Sequence, residues 1–203
     1  MTTTTHTHDL HPLLADRRSP RSFDPSHQLA DSAVVGLLEA ARWAPSSMNR
    51  QPWRFVVARR AAPGHAEVMR ALMPGNRLWA GDASALVVGL AERAPDGASQ
   101  PTAHYDLGLA IAQLTVQAHA LDLHVHQMAG FDAGTLRGAL SLPAEVEPVV
   151  VVAVGRRDAP ERLPADLRAR EVAPRVRRPL DETVLSVDGR AWPGKSEGAA
   201  VAA

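Results

Sequence analysis

Apolar positions along the chain alternate between helical and extended patterns. Between Ser32 and Pro45, Val34, Leu37, Leu38 and Ala41 recur at i, i+3, i+4 and i+7, the spacing of a helix that buries one stripe. Asp31 or Ser32 is placed to cap its start. Pro45 ends it, because proline has no N–H to donate and turns Ala44 away from helical geometry. A polar loop from Ser46 to Gln51 follows, and Pro52 leads into the apolar run Trp53 to Ala58. That run lacks clean alternation, which predicts a strand covered on both faces and central in its sheet. Leu10 to Leu14 predicts a short helix ahead of these elements.

Downstream, Pro63 opens a helix carrying Val68, Met69, Leu72 and Met73 up to Pro74. Gly75 to Trp79 reads as a turn into a second strand, Ala85 to Ala91. Arg93 to Thr102, punctuated by Pro95, Gly97 and Pro101, predicts a loop and a mobile rim. A long helix is expected from about Ala103 to Leu121, with Leu107, Ile111, Leu114 and Ala118 on one face and small residues permitting close approach. His124 to Met128 predicts a short strand, Asp132 caps a helix to Leu140, and Val149 to Gly155 is a further strand. Arg156 to Pro174 is charged and interrupted by proline. A second arginine cluster, Arg175 to Glu182, precedes a low-complexity Gly/Ala tail. The organisation expected is a tail over 1–9, one domain over 10–192 and a tail over 193–203.

Composition narrows the function classes. A chain of 203 residues, 45% hydrophobic and 22% charged, is sized for one globular domain or one subunit of a dimer. Its formal net charge of zero gives no global field towards nucleic acid or an anionic membrane. With no cysteine, disulfides, thiolate catalysis and Cys-ligated metal centres are excluded. The longest apolar run, Val149 to Val154, is too short to span a bilayer, so a cytoplasmic protein is expected. His124 and His126 share a strand face, but no third ligand stands at suitable spacing, and no metal site is expected. Neither a Gly-rich dinucleotide fingerprint nor a Walker A sequence is present.

Local chemistry concentrates in a few places. Arg17, Arg18 and Arg21 with Ser19 and Ser22, broken by Pro20, set guanidinium groups and hydroxyls on a non-helical segment able to surround an oxyanion, or to form a solvated basic turn. Ser46, Ser47, Asn49 and Gln51 give a donor-rich loop between two rigid elements, or an ordinary connector. Asn76 either satisfies a turn or meets a ligand. Gly130 allows close approach of backbone to a ligand, or simply a turn.

Taken together, RRSPRSF at 17–23, ARWAPSSMNRQPWRFVV at 41–57, GNRLWAGDASALVV at 75–88, MAGFD at 128–132, VVAVGR at 151–156 and RVRRPLDETV at 175–184 resemble the FMN-dependent nitroreductase family. The resemblance runs from about Leu10 to Trp192. It implies an α+β fold: a mainly antiparallel sheet flanked by helices, a long central helix at a homodimer interface and a C-terminal extension onto the partner. It implies tightly bound FMN and NAD(P)H as co-substrate. By resemblance Arg17, Arg18 and Ser19, with Arg175 and Arg177, hold the FMN phosphate and ribityl chain, and Arg21 is the cation near flavin N1 and O2. Asn76 matches an Asn on the pyrimidine edge, and Met128, Ala129 and Gly130 match the segment beside N5. Pro45, Ser46, Ser47 and Asn49 resemble the loop offered by the other subunit.

The resemblance further implies a ping-pong cycle with nitroaromatic or quinone acceptors and no catalytic side chain. His104, Tyr105 and the 93–102 rim are open to contacts with the acceptor, or to core and solvent roles. Three departures bear on donor and acceptor preference. Trp79 stands where some members have a second cation, Ala129 where others have an acid, and Leu121-Asp122-Leu123 where others have a Gly-Leu-Gly turn. A specialised flavin-dependent dehydrogenase, oxidase or dehalogenase, a flavin-binding module without turnover, and a metal-binding protein using the histidines are the alternatives.

Overall fold

Proline sets where four of the helices begin. Pro12, Pro63, Pro74 and Pro101 each sit in the first turn of a helix, where the missing N–H leaves no intrahelical bond unmade. The computed structural model describes residues 10–97 and 99–191. It divides into two compact units, one ending at Val172 and the other beginning at Ala173. Trp192 and the predicted tails lie outside the described residues.

The larger unit runs α1 (Pro12–Ala15), α2 (Asp31–Arg42), β1 (Trp53–Arg59), α3 (Pro63–Ala71), α4 (Pro74–Ala80), β2 (Ala85–Glu92), α5 (Pro101–Ala120), β3 (His124–Met128), α6 (Ala133–Ala139), β4 (Val146–Gly155) and α7 (Ala165–Val172). Its strands form one antiparallel sheet in the order β1-β2-β4-β3. The architecture is the expected α+β one. Ala85, Val87 and Ala91 of β2 join Leu37 and Ala41 of α2 and Leu107, Ile111, Leu114 and Ala118 of α5 in one core. Leu86, Val88 and Leu90 point the other way, into a second core with Val68, Leu72, Trp79, Met128, Leu136 and Leu167. The sheet is therefore the middle of three layers, and the period-two alternation of β2 serves both cores.

Several expectations are corrected. β1 is an edge strand, pairing only with β2 among the described residues. Its apolar run reflects helices on both faces, which says nothing about its hydrogen-bonding edges. The α2 N-cap is Ala30, without a side-chain cap, and Asp31 is the first helical residue, where its charge suits the helix dipole. Gly75 to Trp79 is helical, within α4, because burial of Trp79 and Ala80 outweighs the poor helix propensity of Gly75. β4 begins at Val146, three residues before the expected start, and passes Pro148 where the register with β2 slips between Gly89 and Leu90. Asp132 does cap α6, accepting from the Thr135 N–H.

In the C-terminal unit, α8 (Leu180–Thr183) precedes a hairpin of β5 (Ser186–Val187) and β6 (Arg190–Ala191). Asp188 and Gly189, with φ of 53° and 73°, make the Asp-Gly turn that matches strand twist.

Candidate functional site

The segment from Arg17 to Asp24 is a strap bound down at short intervals. Pro20, Ser22 and Phe23 face inward, whereas Arg17, Arg18 and Arg21 are half-buried and Ser19 is exposed. Ser22 Oγ donates to Ala159 O at 2.6 Å, Asp158 N–H donates to Ser22 O at 3.0 Å, and Asp24 N–H donates to Arg156 O at 2.9 Å. The Arg17 guanidinium donates to Ser19 Oγ at 3.1 Å. Apolar anchors alternating with basic residues thus leave guanidinium groups and a hydroxyl on the outer side of a fixed backbone.

Below the strap lies His126 of β3, whose Nδ1 is 2.9 Å from Pro20 O. A carbonyl can only accept, so Nδ1 carries the proton and Nε2 is the free-lone-pair nitrogen of the neutral ring. Burial holds the His126 pKa below its ordinary 6.5, and the charges of Arg21 and Arg17 push the same way. The ring packs on Trp79 of α4, with centroids 4.4 Å apart, and Trp79 in turn stacks on Phe23. Trp79 is therefore core, at 3% exposure.

Asn76 lies one turn earlier on α4. Its Nδ2 donates to Gly130 O at 3.0 Å, and Met73 N–H donates to the same carbonyl at 2.9 Å. A Cβ at 130 would lie 2.9 Å from Asn76 Nδ2, so any larger residue there would displace the Asn76 amide. The Met128 side chain is core at 3% exposure, while Ala129 is exposed. The strap, His126, Trp79, Asn76 and the 128–130 segment thus form one continuous set of contacts.

The 45–49 loop is held elsewhere, against α5. Ser47 N–H donates to Asp106 Oδ2 at 3.1 Å, and Ser46 Oγ accepts from Gln51 N–H at 3.0 Å. Asp106 is 3% exposed. Met48, Asn49 and Gln51 all have φ between 51° and 55°, a region that costs a residue with a Cβ about 1–2 kcal/mol. Bonds from a buried carboxylate and from its own side chains over-determine this turn. Pro45 and Asn49 are exposed, and Met48 is 85% exposed.

Of the predicted residues, Arg17, Arg18, Ser19 and Arg21 lie on the strap that is tied through Pro20 O to His126 of β3, and β3 leads on to Met128, Ala129 and Gly130, where Asn76 bonds. Pro45, Ser46, Ser47 and Asn49 form a separate group on the α5 side. Arg175 and Arg177 belong to the C-terminal unit, where Arg177 donates to Val176 O. His104 is engaged by Glu147 of β4 at 2.6 Å, together with Ser99 and Arg93, so the rim is tied to the sheet, while Tyr105 is 69% exposed. A groove of ≈ 850 Å3 along β1, β2 and the 140–146 segment is lined in part by Arg93, Ala94, Pro95 and Gly97 of the rim, and by none of the residues expected to bind flavin. Sequence reasoning missed Glu171, which accepts the Arg21 N–H, and Asp106. Both are carboxylates on buried helix faces, and the helix-forming run ADLRAREV was the available signal for the first.

A three-layer α+β unit with a basic strap packed beside a Gly-containing turn defines a class, and comparison with known proteins gives it a family. The model described as the Nitroreductase family matches residues 14–156. The chain belongs to the nitroreductase family. A solved structure described as an oxidoreductase containing FMN is 34% identical with a TM-score of 0.83, covering 94% of this chain and 98% of that one. Another, a candidate nitroreductase from Desulfovibrio desulfuricans in complex with FMN, is 26% identical with a TM-score of 0.72, covering 88% and 98%. YdgI of Bacillus subtilis, named as a candidate NAD(P)H nitroreductase, is 25% identical over 202 residues, 79% of this chain and 96% of its own. Among the described residues, no helix is long and apolar enough to cross a membrane.

Proposed function

We propose that the chain is an FMN-dependent NAD(P)H oxidoreductase, working as a homodimer on nitroaromatic, quinone or similar acceptors. The observation that carries this reading is the Arg17–Arg21 strap, which bears cations and a hydroxyl, is fixed along its backbone and is tied to His126 on the strand that leads to Gly130. Such a donor set fits a phosphate monoester, which accepts several charge-assisted hydrogen bonds. When bound, FMN supplies the redox chemistry, exchanging two electrons between NAD(P)H and the acceptor in a ping-pong sequence.

The chain's own residues bind and polarise. Arg17, Arg18 and Ser19 take the phosphate end. Arg21 stabilises negative charge at the N1 and O2 edge of the ring and so favours the reduced state. Because Asn76 Nδ2 is committed to Gly130 O, its Oδ1 faces the other way as an acceptor for an N–H of the pyrimidine edge. Ala129 and Gly130 border the reactive face with main chain alone. Pro45, Ser46, Ser47 and Asn49 serve the partner's site, which agrees with their anchoring away from the strap of their own chain. The contribution assigned to Arg175 and Arg177 rests on the sequence resemblance.

The test is anaerobic. Purified protein with FMN should be bleached by NADH or NADPH and recoloured by a nitroaromatic or quinone. Yellow protein that neither nicotinamide bleaches would contradict an oxidoreductase. A monomeric holoprotein in sedimentation would contradict the shared site.

A further inference from the structure

One peptide group of the strap is gripped at both of its polar ends by side chains far away in sequence. The carbonyl of Pro20 accepts from His126 Nδ1 on β3 at 2.9 Å, and the N–H of the next residue, Arg21, donates to Glu171 Oε2 on α7 at 2.9 Å. These are the C=O and N–H of a single planar amide. With both held, that plane cannot flip, and the direction in which the Arg21 side chain leaves the strap is fixed.

Each jaw is itself immobilised. His126 is backed by Trp79, which stacks on Phe23. Glu171 is 6% exposed, and its other oxygen lies 3.9 Å from Arg157 Nε. A buried carboxylate is costly unless its oxygens are satisfied, and here a main-chain N–H and a guanidinium answer them. Neighbouring residues on the strap are held too, with Ser22 and Asp24 bonding to the main chain of 156–159.

We propose that His126 and Glu171 are positioning residues, a two-sided clamp on the Pro20–Arg21 peptide that aims Arg21 at the flavin and thereby sets FMN affinity. This inference rests on the FMN reading above. A guanidinium at the end of a long side chain magnifies any rotation of its backbone, so a small change in the peptide plane displaces the charge by far more than itself.

The experiment is a double-mutant cycle on FMN dissociation constants, combined with hydrogen exchange at the Arg21 amide of the apoprotein. Glu171→Ala and His126→Ala should each weaken FMN by about fivefold or more, the usual worth of one lost hydrogen bond. Glu171→Gln and His126→Asn, which retain an acceptor and a donor at the same places, should restore most of that loss. In an Arg21→Ala background the same alanine changes should cost less than about twofold, because the group they aim is gone. The Arg21 amide should be protected in the wild type and exposed in Glu171→Ala. Equal losses in both backgrounds, or an Arg21 amide that exchanges freely in the wild type, would overturn the clamp. Should Glu171→Ala not fold, the His126 pair carries the same comparison. Wild-type protein that keeps the amide protected yet takes up no FMN overturns the flavin reading and the aiming role with it. FMN uptake without coupling to Arg21 overturns the clamp alone.

Discussion

Asn76 and Gly130 fit each other through one hydrogen bond and one missing atom. The Asn76 Nδ2 sits 3.0 Å from Gly130 O, in the space that a Cβ at 130 would enter at 2.9 Å. Gly130→Ala therefore has to push the amide aside and should destabilise the protein by about 0.5–1.5 kcal/mol, the net worth of such a bond. Asn76→Ala should cost a similar amount. Because both changes remove one interaction, the double mutant should cost clearly less than the sum of the two in urea unfolding. Additive losses would show that the contact is not shared.

The strained turn after α2 depends on a carboxylate beneath it. Asp106, buried on α5, accepts the Ser47 N–H at 3.1 Å, next to residues with φ near 50°. Asp106→Ala should cost about 1.5–3 kcal/mol, the range for a hydrogen bond to a charged group. It should also make residues 46–51 a preferred site of limited proteolysis. A digestion pattern unchanged by the substitution would contradict this anchoring.

Four histidines make stability fall on acidification. His27, His65, His124 and His126 are each held below the ordinary 6.5, first by burial and then mainly by nearby positive charge. In the unfolded chain they protonate around 6.5, whereas in the folded protein they stay neutral to lower pH. The unfolded state then binds more protons in that window, so stability is at its full value above 6.5 and is lost as pH falls through 6.5 towards the folded values. The urea midpoint of the apoprotein should decrease between pH 8 and pH 5.5, and His126→Asn should flatten that slope. A midpoint that rises on acidification in this range would contradict the assignment.

Much of this was visible in the residues themselves. The helix opened by Pro63, the α5 stripe of Leu107, Ile111, Leu114 and Ala118, the Asp132 cap and the strands at β2 and β3 follow from local rules of sterics and periodicity. What was not visible depends on contacts between distant segments. The edge position of β1 cannot be read from its apolar run, because coverage of both faces leaves its pairing undetermined. The helical state of Gly75 to Trp79 is decided by burial of Trp79 against Phe23 and His126, which no local window contains. At the site, the basic strap and the Gly130 turn were legible as chemistry, but Glu171 was hidden in a charged stretch whose helix, α7, becomes meaningful only once it packs under Arg21.

The most direct test of the central claim compares FMN with riboflavin, which lacks the phosphate. If the strap is a phosphate cradle, the wild-type protein should bind FMN far more tightly than riboflavin. Arg17→Ala combined with Arg18→Ala should weaken FMN by more than about tenfold, since charged hydrogen bonds contribute about 1.5–3 kcal/mol each, while riboflavin affinity stays the same. Equal affinity of the wild type for the two flavins, or an equal loss for both in the double variant, would contradict the account.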